Sequence, residues 1–428
     1  MDTIFAQATA HGRAGVSIVR LSGPQAFDIS SQFCDRPAVG KTGLRAIRAS
    51  DGSLVDRAVV LCFEAGASFT GERVVEFHVH GGLATVARLL SELSKCDKCR
   101  LAEPGEFTRR ALENGQLDLN QAEALADLID AETESQRQQA IRVLDGSFGD
   151  VGAVWRANLL RAAALLEASI DFSDEEIPSD LYLEVADLVG QTQISISTIL
   201  ERSVIASKIR SGFVVAIVGL PNVGKSTLLN AIAGRQAAIT SDVAGTTRDV
   251  IEVRVDLMGL AVTFLDTAGL RKSEDDIENL GISMAYSRAN EADIRLFLVD
   301  SIDETLPLIA RPDDFVVLSK ADERLSCELS VSGKTGLGVS NLLQLISDKL
   351  MQKTPTDVVA IRERQVVGLR AASVVLTRTL ELIDQKPLPF ELACQELYFA
   401  LSELDFVFGK IDIESVLDEI FSSFCLGK

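Results

Sequence analysis

The densest chemistry in the chain lies in the run Gly219-Leu-Pro-Asn-Val-Gly224-Lys225-Ser226, which fits the pattern G-x-x-x-x-G-K-[ST]. Its glycines let backbone N–H groups curl around phosphate oxygens at the positive end of a helix. Lys225 has the reach to meet β- and γ-phosphates, and the Ser226 hydroxyl suits Mg²⁺. Asn222, Val223, Gly224, Lys225, Ser226 and Thr227 are the expected phosphate-contacting run. The apolar stretch FVVAIV precedes the loop and STLLNAIAG follows it, which is the strand–loop–helix setting the pattern requires.

Two further motifs follow in order. Ser241-Asp242-Val243-Ala244-Gly245-Thr246-Thr247 leads into Arg248-Asp249, and Thr247 offers a second hydroxyl to Mg²⁺. Asp266-Thr267-Ala268-Gly269 ends the apolar run AVTFLD. Asp266 can hold Mg²⁺ through a water, and the Gly269 N–H can sense the γ-phosphate. Together these predict a switch-type GTPase. Base choice falls to Ser319-Lys320-Ala321-Asp322, a variant of N-K-x-D with Ser in place of Asn. A carboxylate at Asp322 accepts two N–H bonds from guanine, a pattern that adenine cannot offer. Ser332, Gly333 and Lys334 make the last base-contacting loop. GTP is therefore the expected nucleotide, with Ser319 a reason to expect weaker affinity.

Hydrolysis poses a separate question. Ras-type enzymes place a water-orienting Gln directly after D-T-A-G, and here that position is Leu270. The substitutes are Arg271, the acidic run Glu274, Asp275, Asp276 and Glu278, or a monovalent cation. The amide carbonyl of Asn222, inside the phosphate loop, is well placed for such a cation.

These residues need elements to hold them. From Gly212 the chain alternates short apolar strands (FVVAIVG, AVTFLD, RLFLVD, FVVLSK) with helical stretches, the pattern of an open, mostly parallel α/β sheet. The block before it is rich in Ala, Leu, Gln and Glu. LNQAEALADLIDAETESQRQQAIRVL, VWRANLLRAAALLEASI and LYLEVADLVGQTQISISTILERS read as helices there. The acidic DFSDEEIPSD between the last two reads as a linker. After Pro355 helical periodicity returns. The N-terminal stretch reads as mixed α/β, with strands VSIVRLS, AVVLCF and VVEFHVH and the helix LATVARLLSEL. The economical organisation has an α/β N-terminal domain (1–116), an all-α domain in two pieces (117–210 and 356–428), and a P-loop α/β domain (211–355) inserted into it.

The chain has 428 residues, 47% hydrophobic and 24% charged, which excludes extensive disorder. Its formal charge of −20 disfavours a generic nucleic-acid or membrane binder. That charge is uneven: residues 1–110 carry +2, whereas 111–210 carry −11. Seven scattered cysteines, no apolar leader in MDTIFAQATAHGR and no long apolar span predict a cytoplasmic protein with reduced thiols and no membrane contact. Cys96-Asp-Lys-Cys99 lacks the further ligands zinc needs and reads as a surface pair at a helix end. His78 and His80 face one side of a strand, either toward a ligand or in a packed role. Trp155 is expected in the helical core.

Beyond single motifs, ATAHGRAGVSIVRLSG, TGERVVEFHVHGG, AEPGEFTRRALENGQLDLNQAEALADLI, GTTRD, DTAGLR and the tail FCLGK resemble the MnmE (TrmE) family of tRNA modification GTPases over nearly the full length. The resemblance implies an N-terminal domain that binds 5-formyl- or 5,10-methylene-tetrahydrofolate and forms a homodimer. It implies a discontinuous helical domain and an inserted GTPase domain activated by K⁺. It implies work with the FAD-dependent protein MnmG, in a heterotetramer or larger complex, to add aminomethyl or carboxymethylaminomethyl groups at C5 of the tRNA wobble uridine. Carried onto this sequence, Asn222, Ser241, Val243 and Thr246 match the potassium ligands, and Glu278 matches the glutamate that acts on the attacking water. Arg20, Glu76, Gln116 and Lys428 match folate positions, with Gln116 standing where relatives have Lys. Arg20 suits the folate's anionic tail and Glu76 the pterin amino groups. Cys425 matches a cysteine near that site, where it would be an acid/base, a nucleophile or a core residue. Two other readings compete: a regulatory or ribosome-assembly GTPase, and a folate-dependent transferase with a degenerate nucleotide site. The N-terminal block and FCLGK tail favour the tRNA reading.

Overall fold

The computed structural model describes residues 2–171, 179–235, 252–266, 287–323, 329–354 and 362–410, together with 421, 424 and 427. Two compact units divide the chain, one made of 1–126 and 402–428 and the other of 127–401.

In the first unit, period-two alternation builds a six-stranded sheet. Its strands are β1 (Thr3–Gln7), β2 (Ala14–Ser22), β3 (Gly43–Arg48), β4 (Leu54–Phe63), β5 (Val74–Gly81) and β6 (Cys99–Leu101), in the order β3-β4-β5-β2-β1-β6. All pairs are antiparallel except β1–β6. Val75, Phe77 and Val79 of β5 point into a core completed by Val19, Leu21, Ile47 and Val60. Two helices belong with this core, α1 (Ala26–Ser30) and α2 (Leu83–Leu93), the latter through Val86, Leu89 and Leu93. Glu76, His78 and His80 alternate to the other face. There a smaller cluster of Ile4, Ala6, Ala102 and Phe107 forms, Phe107 coming from α3 (Glu106–Glu113). Arg110 of α3 is buried, yet Asp2, Glu72 and Glu106 all bind its guanidinium. Burial pulls the Glu106 pKa upward, but bonds from Arg100, the Glu103 N–H and Arg110 outweigh it and leave the carboxyl below its usual range.

Cys96 and Cys99 pack half-buried against that core, as part of neither a disulfide nor a metal cluster among the described residues. Burial pushes the Cys99 thiol up to about 12 and also raises Cys96, so both stay protonated and unreactive.

Helix α4 (Leu119–Ile129) is followed by α5 (Glu134–Leu144). The sequence read this stretch as one helical segment, and the chain breaks it at 130–133. The cause is local. Thr133 is extended (φ −132°, ψ 161°), and Thr133-x-x-Gln136 forms a capping box that starts a new helix.

The second unit joins helices to a five-stranded sheet. Helix α6 (Ser147–Asp171) packs on α7 (Ser179–Ser211), which also packs on α10 (Glu363–Ile383). Trp155 is buried as expected, and its indole N–H donates to Ser195 Oγ at 2.9 Å. Strands β7 (Phe213–Val218), β8 (Glu252–Leu257), β9 (Leu260–Asp266), β10 (Ile294–Val299) and β11 (Phe315–Leu318) lie in the order β11-β10-β7-β9-β8. Only β8 is antiparallel among these, so the sheet is mostly parallel, as the sequence predicts. Val215, Ile217, Phe264, Leu296 and Val317 fill its core with residues of α8 (Lys225–Arg235) and α9 (Val339–Lys353). A further long helix among the described residues is α11 (Phe390–Val407).

Asp127 ties the two chain segments that flank this sheet. It accepts from Arg362 Nη2 at 2.8 Å and lies 4.0 Å from Arg210 Nη1. Burial raises its pKa, against the pull of both guanidinium groups. Gln136 Nε2 donates to the Arg210 carbonyl, and Arg254 of β8 pairs with Glu132 at 2.7 Å. Inside the sheet domain, Arg295 and Asp314 form an ion pair at 2.6 Å with both side chains only 2% exposed. Burial would raise the Asp314 pKa, yet hydrogen bonds from Arg295 and the Arg311 N–H hold it low. Removing one partner of such a pair strands the other charge. Arg295→Ala is therefore expected to cost about 3–5 kcal/mol, read as a lowered urea midpoint. An unchanged midpoint would mean that Asp314 does not depend on this partner.

Candidate functional site

The phosphate loop sits where β7 ends and α8 begins. Gly224 has φ +108°, a conformation that a side chain would strain. Gly219 lies against β10 so closely that a Cβ there would meet the Leu298 carbonyl oxygen at 2.3 Å. Asn222 adopts φ +61°, a left-handed conformation that Asn tolerates better than most residues. Lys225 is buried, and its amine donates to the carbonyls of Gly219 and Leu220 at 2.9 and 2.8 Å. The ammonium is thereby fixed beside its own loop. Ser226 Oγ donates to Asp266 Oδ2 at 2.5 Å. The structure thus brings the hydroxyl of the first motif onto the carboxylate of the third, 40 residues away in sequence. Two hard oxygens at one point, beside a fixed ammonium and a helix N-terminus, fit Mg²⁺ with a phosphate chain.

Ser319–Asp322, the segment expected to read the base, follows β11. Ala321 N–H donates to the Val331 carbonyl at 3.1 Å, joining the segment to the loop of Ser332, Gly333 and Lys334. A hydrogen bond from the Ser332 side chain holds the Asp322 carboxyl below its usual range, so it stays an acceptor. Gly333 is required by contact, because a Cβ there would meet the Leu228 nitrogen at 2.6 Å and the Thr227 carbonyl carbon at 2.7 Å. Close approach to α8 is the reason that a glycine stands there. Ser319 is buried and donates to Asp300 Oδ1 at 2.7 Å, a partner that sequence reading missed.

In the first unit, Arg20 and Glu76 are brought together by register, since the two are directly cross-strand on β2 and β5. They form an ion pair at 2.8 Å, with the guanidinium over the rings of Phe69 and Phe107 at 5.5 and 5.6 Å. His78 Nε2 lies 3.0 Å from the other Glu76 oxygen. His80 instead faces Asp56 at 2.9 Å and is largely exposed. Gln116 is exposed near the Asn114 carbonyl, 44 residues along from Thr70, to which Asn114 donates. The predicted ligands Ser241, Asp242, Val243, Ala244, Gly245, Thr246, Thr247, Thr267, Ala268 and Gly269 lie outside the described residues. So do Leu270, Arg271, Glu278, Cys425 and Lys428.

A mostly parallel sheet with this loop, the Ser226–Asp266 contact and the Asp322 loop defines a P-loop GTPase. The family model described as "GTP-binding protein TrmE N-terminus" matches residues 3–116, and "MnmE helical domain" matches 119–425. The "tRNA modification GTPase MnmE" of Roseobacter denitrificans is 52% identical over 429 residues, covering 100% of both chains. Its counterpart in Ruegeria sp. (strain TM1040) is 50% identical over 430 residues, again covering 100% of both. The chain belongs to the MnmE family of tRNA modification GTPases.

Proposed function

We propose that the chain is the potassium-activated, GTP-hydrolysing subunit of a complex that modifies C5 of the tRNA wobble uridine. The family's full-length likeness, found in a chain whose Ser226 and Asp266 meet at a P-loop, is the observation that carries this reading. Lys225 binds the phosphates, while Ser226 and Thr247 hold Mg²⁺ and Asp266 holds it through water. Asn222, Ser241, Val243 and Thr246 hold K⁺, and Glu278 orients water, with Arg271 beside it. The domains are 1–116, 117–210 with 356–428, and 211–355. The first takes a formyl- or methylene-tetrahydrofolate at Arg20, Glu76, Gln116 and Lys428, with Cys425 close by, and joins two copies in a homodimer. MnmG, carrying FAD, supplies the redox step when bound. No described helix is long and apolar enough to cross a membrane, and the site of action is the cytoplasm.

A folate at Arg20 and Glu76 has to share or open an existing ion pair. The aromatic rings under Arg20 keep the guanidinium placed whether or not Glu76 holds it. The tRNA grip is weak and salt-sensitive without the partner, because the +2 block of residues 1–110 is the sole region without an acidic excess. The test is mass spectrometry of tRNA wobble nucleosides from a deletion strain. Unmodified uridine is expected, restored by the wild-type chain and not by Lys225→Ala. Intact modification in the deletion strain would overturn the reading.

A further inference from the structure

Strands β10 and β11 run parallel with Val299 beside Leu318. The next residue out of each strand, Asp300 and Ser319, therefore leaves the sheet side by side. Ser319 is 3% exposed, and its hydroxyl donates to Asp300 Oδ1 at 2.7 Å. The Lys320 ammonium lies 3.1 Å from the same oxygen. The Asp300 N–H donates to Glu304 Oε2 at 3.1 Å, which closes a turn behind the carboxylate. Lys320 itself has φ +56°, a left-handed conformation that a lysine keeps only when its neighbours enforce it.

An Asn at position 319 would carry an amide long enough to brace neighbouring loops. The Ser hydroxyl stops short and reaches only the adjacent strand end, where a carboxylate stands. A buried hydroxyl needs a partner, and an ionised acceptor makes the stronger bond. The Lys320 contact is 42–45% exposed on its two sides and contributes less. The buried Ser319 bond is thus the stronger of the two side-chain contacts to Asp300, and it acts on the chain three residues before Asp322.

We propose that Asp300 is a positioning residue for base selection, standing in for the Asn missing at 319 by fixing Ser319 and Lys320 so that Asp322 meets the guanine edge. The proposal rests on the reading of Ser319–Asp322 as the base-reading segment. Its test measures mant-GDP binding to the full-length protein, with displacement by GDP, ADP and XDP. Asp300→Ala is expected to weaken GDP about tenfold and to leave ADP unchanged, because ADP depends on the phosphate loop alone. Ser319→Asn added to Asp300→Ala should return GDP affinity to within about twofold of Ser319→Asn by itself.

An unchanged GDP-to-ADP ratio in Asp300→Ala overturns the proposal. Equal weakening of both nucleotides also overturns it, since that marks a merely structural role. Asp322→Asn separates the proposal from its premise. Xanthine presents a C2 carbonyl where guanine has an amino group, so an Asn amide should prefer XDP. If Asp322→Asn shifts preference to XDP while Asp300→Ala does nothing, Asp300 alone is refuted. If Asp322→Asn shifts nothing, the base-reading segment itself is misassigned and the proposal falls with it.

Discussion

Replacing Glu278 with alanine is expected to leave GTP bound and to slow its hydrolysis by about 10²–10⁴-fold, the range for losing a positioned general base or water-orienting group. No water-orienting side chain directly follows the third motif. Position 270 follows Asp266-Thr267-Ala268-Gly269, and a leucine there has no atom that can hold water. The nearest carboxylates in sequence are Glu274, Asp275, Asp276 and Glu278. Resemblance to the MnmE family is what singles out Glu278 among them as the proposed residue. Binding should survive, because Lys225 is held by the Gly219 and Leu220 carbonyls and Ser226 by Asp266. Nucleotide affinity by fluorescence and single-turnover hydrolysis separate the two effects. Glu278→Gln keeps a hydrogen-bonding oxygen and should fall between wild type and alanine. Unchanged turnover in Glu278→Ala would remove Glu278 from the mechanism, and loss of binding would show a role in holding nucleotide instead.

What the sequence made legible follows the distance over which each feature is encoded. The phosphate loop was readable because its glycines, lysine and serine are contiguous, and β7 and α8 flank it as the pattern demands. The break between α4 and α5 was written locally too, in Thr133-x-x-Gln136, but helical periodicity on both sides masked it. The Arg20–Glu76 pair was not readable. Both residues could be named as ligands, yet only the β2–β5 register sets them opposite each other across 56 positions. Asp127 is separated from Arg362 by 235 positions, and no pattern on α4 announces that contact. Asp300 is intermediate. It follows the strand RLFLV as Ser319 follows FVVL, so a parallel pairing would have placed them together had the register been known.

The second large effect expected concerns the medium. GTP hydrolysis should run at least about tenfold faster in KCl than in NaCl at matched ionic strength. A fixed charge aimed at developing transition-state charge is worth about 10²–10³-fold, and a finger arginine in related enzymes more still. The proposed place for such a charge is at Asn222. Asn222 lies in the phosphate loop with φ +61° and an exposed side chain, so its amide carbonyl is available to a cation beside the phosphates. Carbonyl and hydroxyl oxygens suit a weakly hydrated ion, and a set built of them distinguishes K⁺ from Na⁺ by the number and field of its ligands. Ser241, Val243 and Thr246 would supply the remaining oxygens. Asn222→Ala should then bring the KCl rate down to the NaCl rate, whereas Glu278→Ala should be slow in both salts. The two variants would therefore separate the proposed roles: a cation that stabilises charge on the phosphates, and a carboxylate that places the water. Equal wild-type rates in the two salts would eliminate the cation and leave Arg271 as the charge to examine.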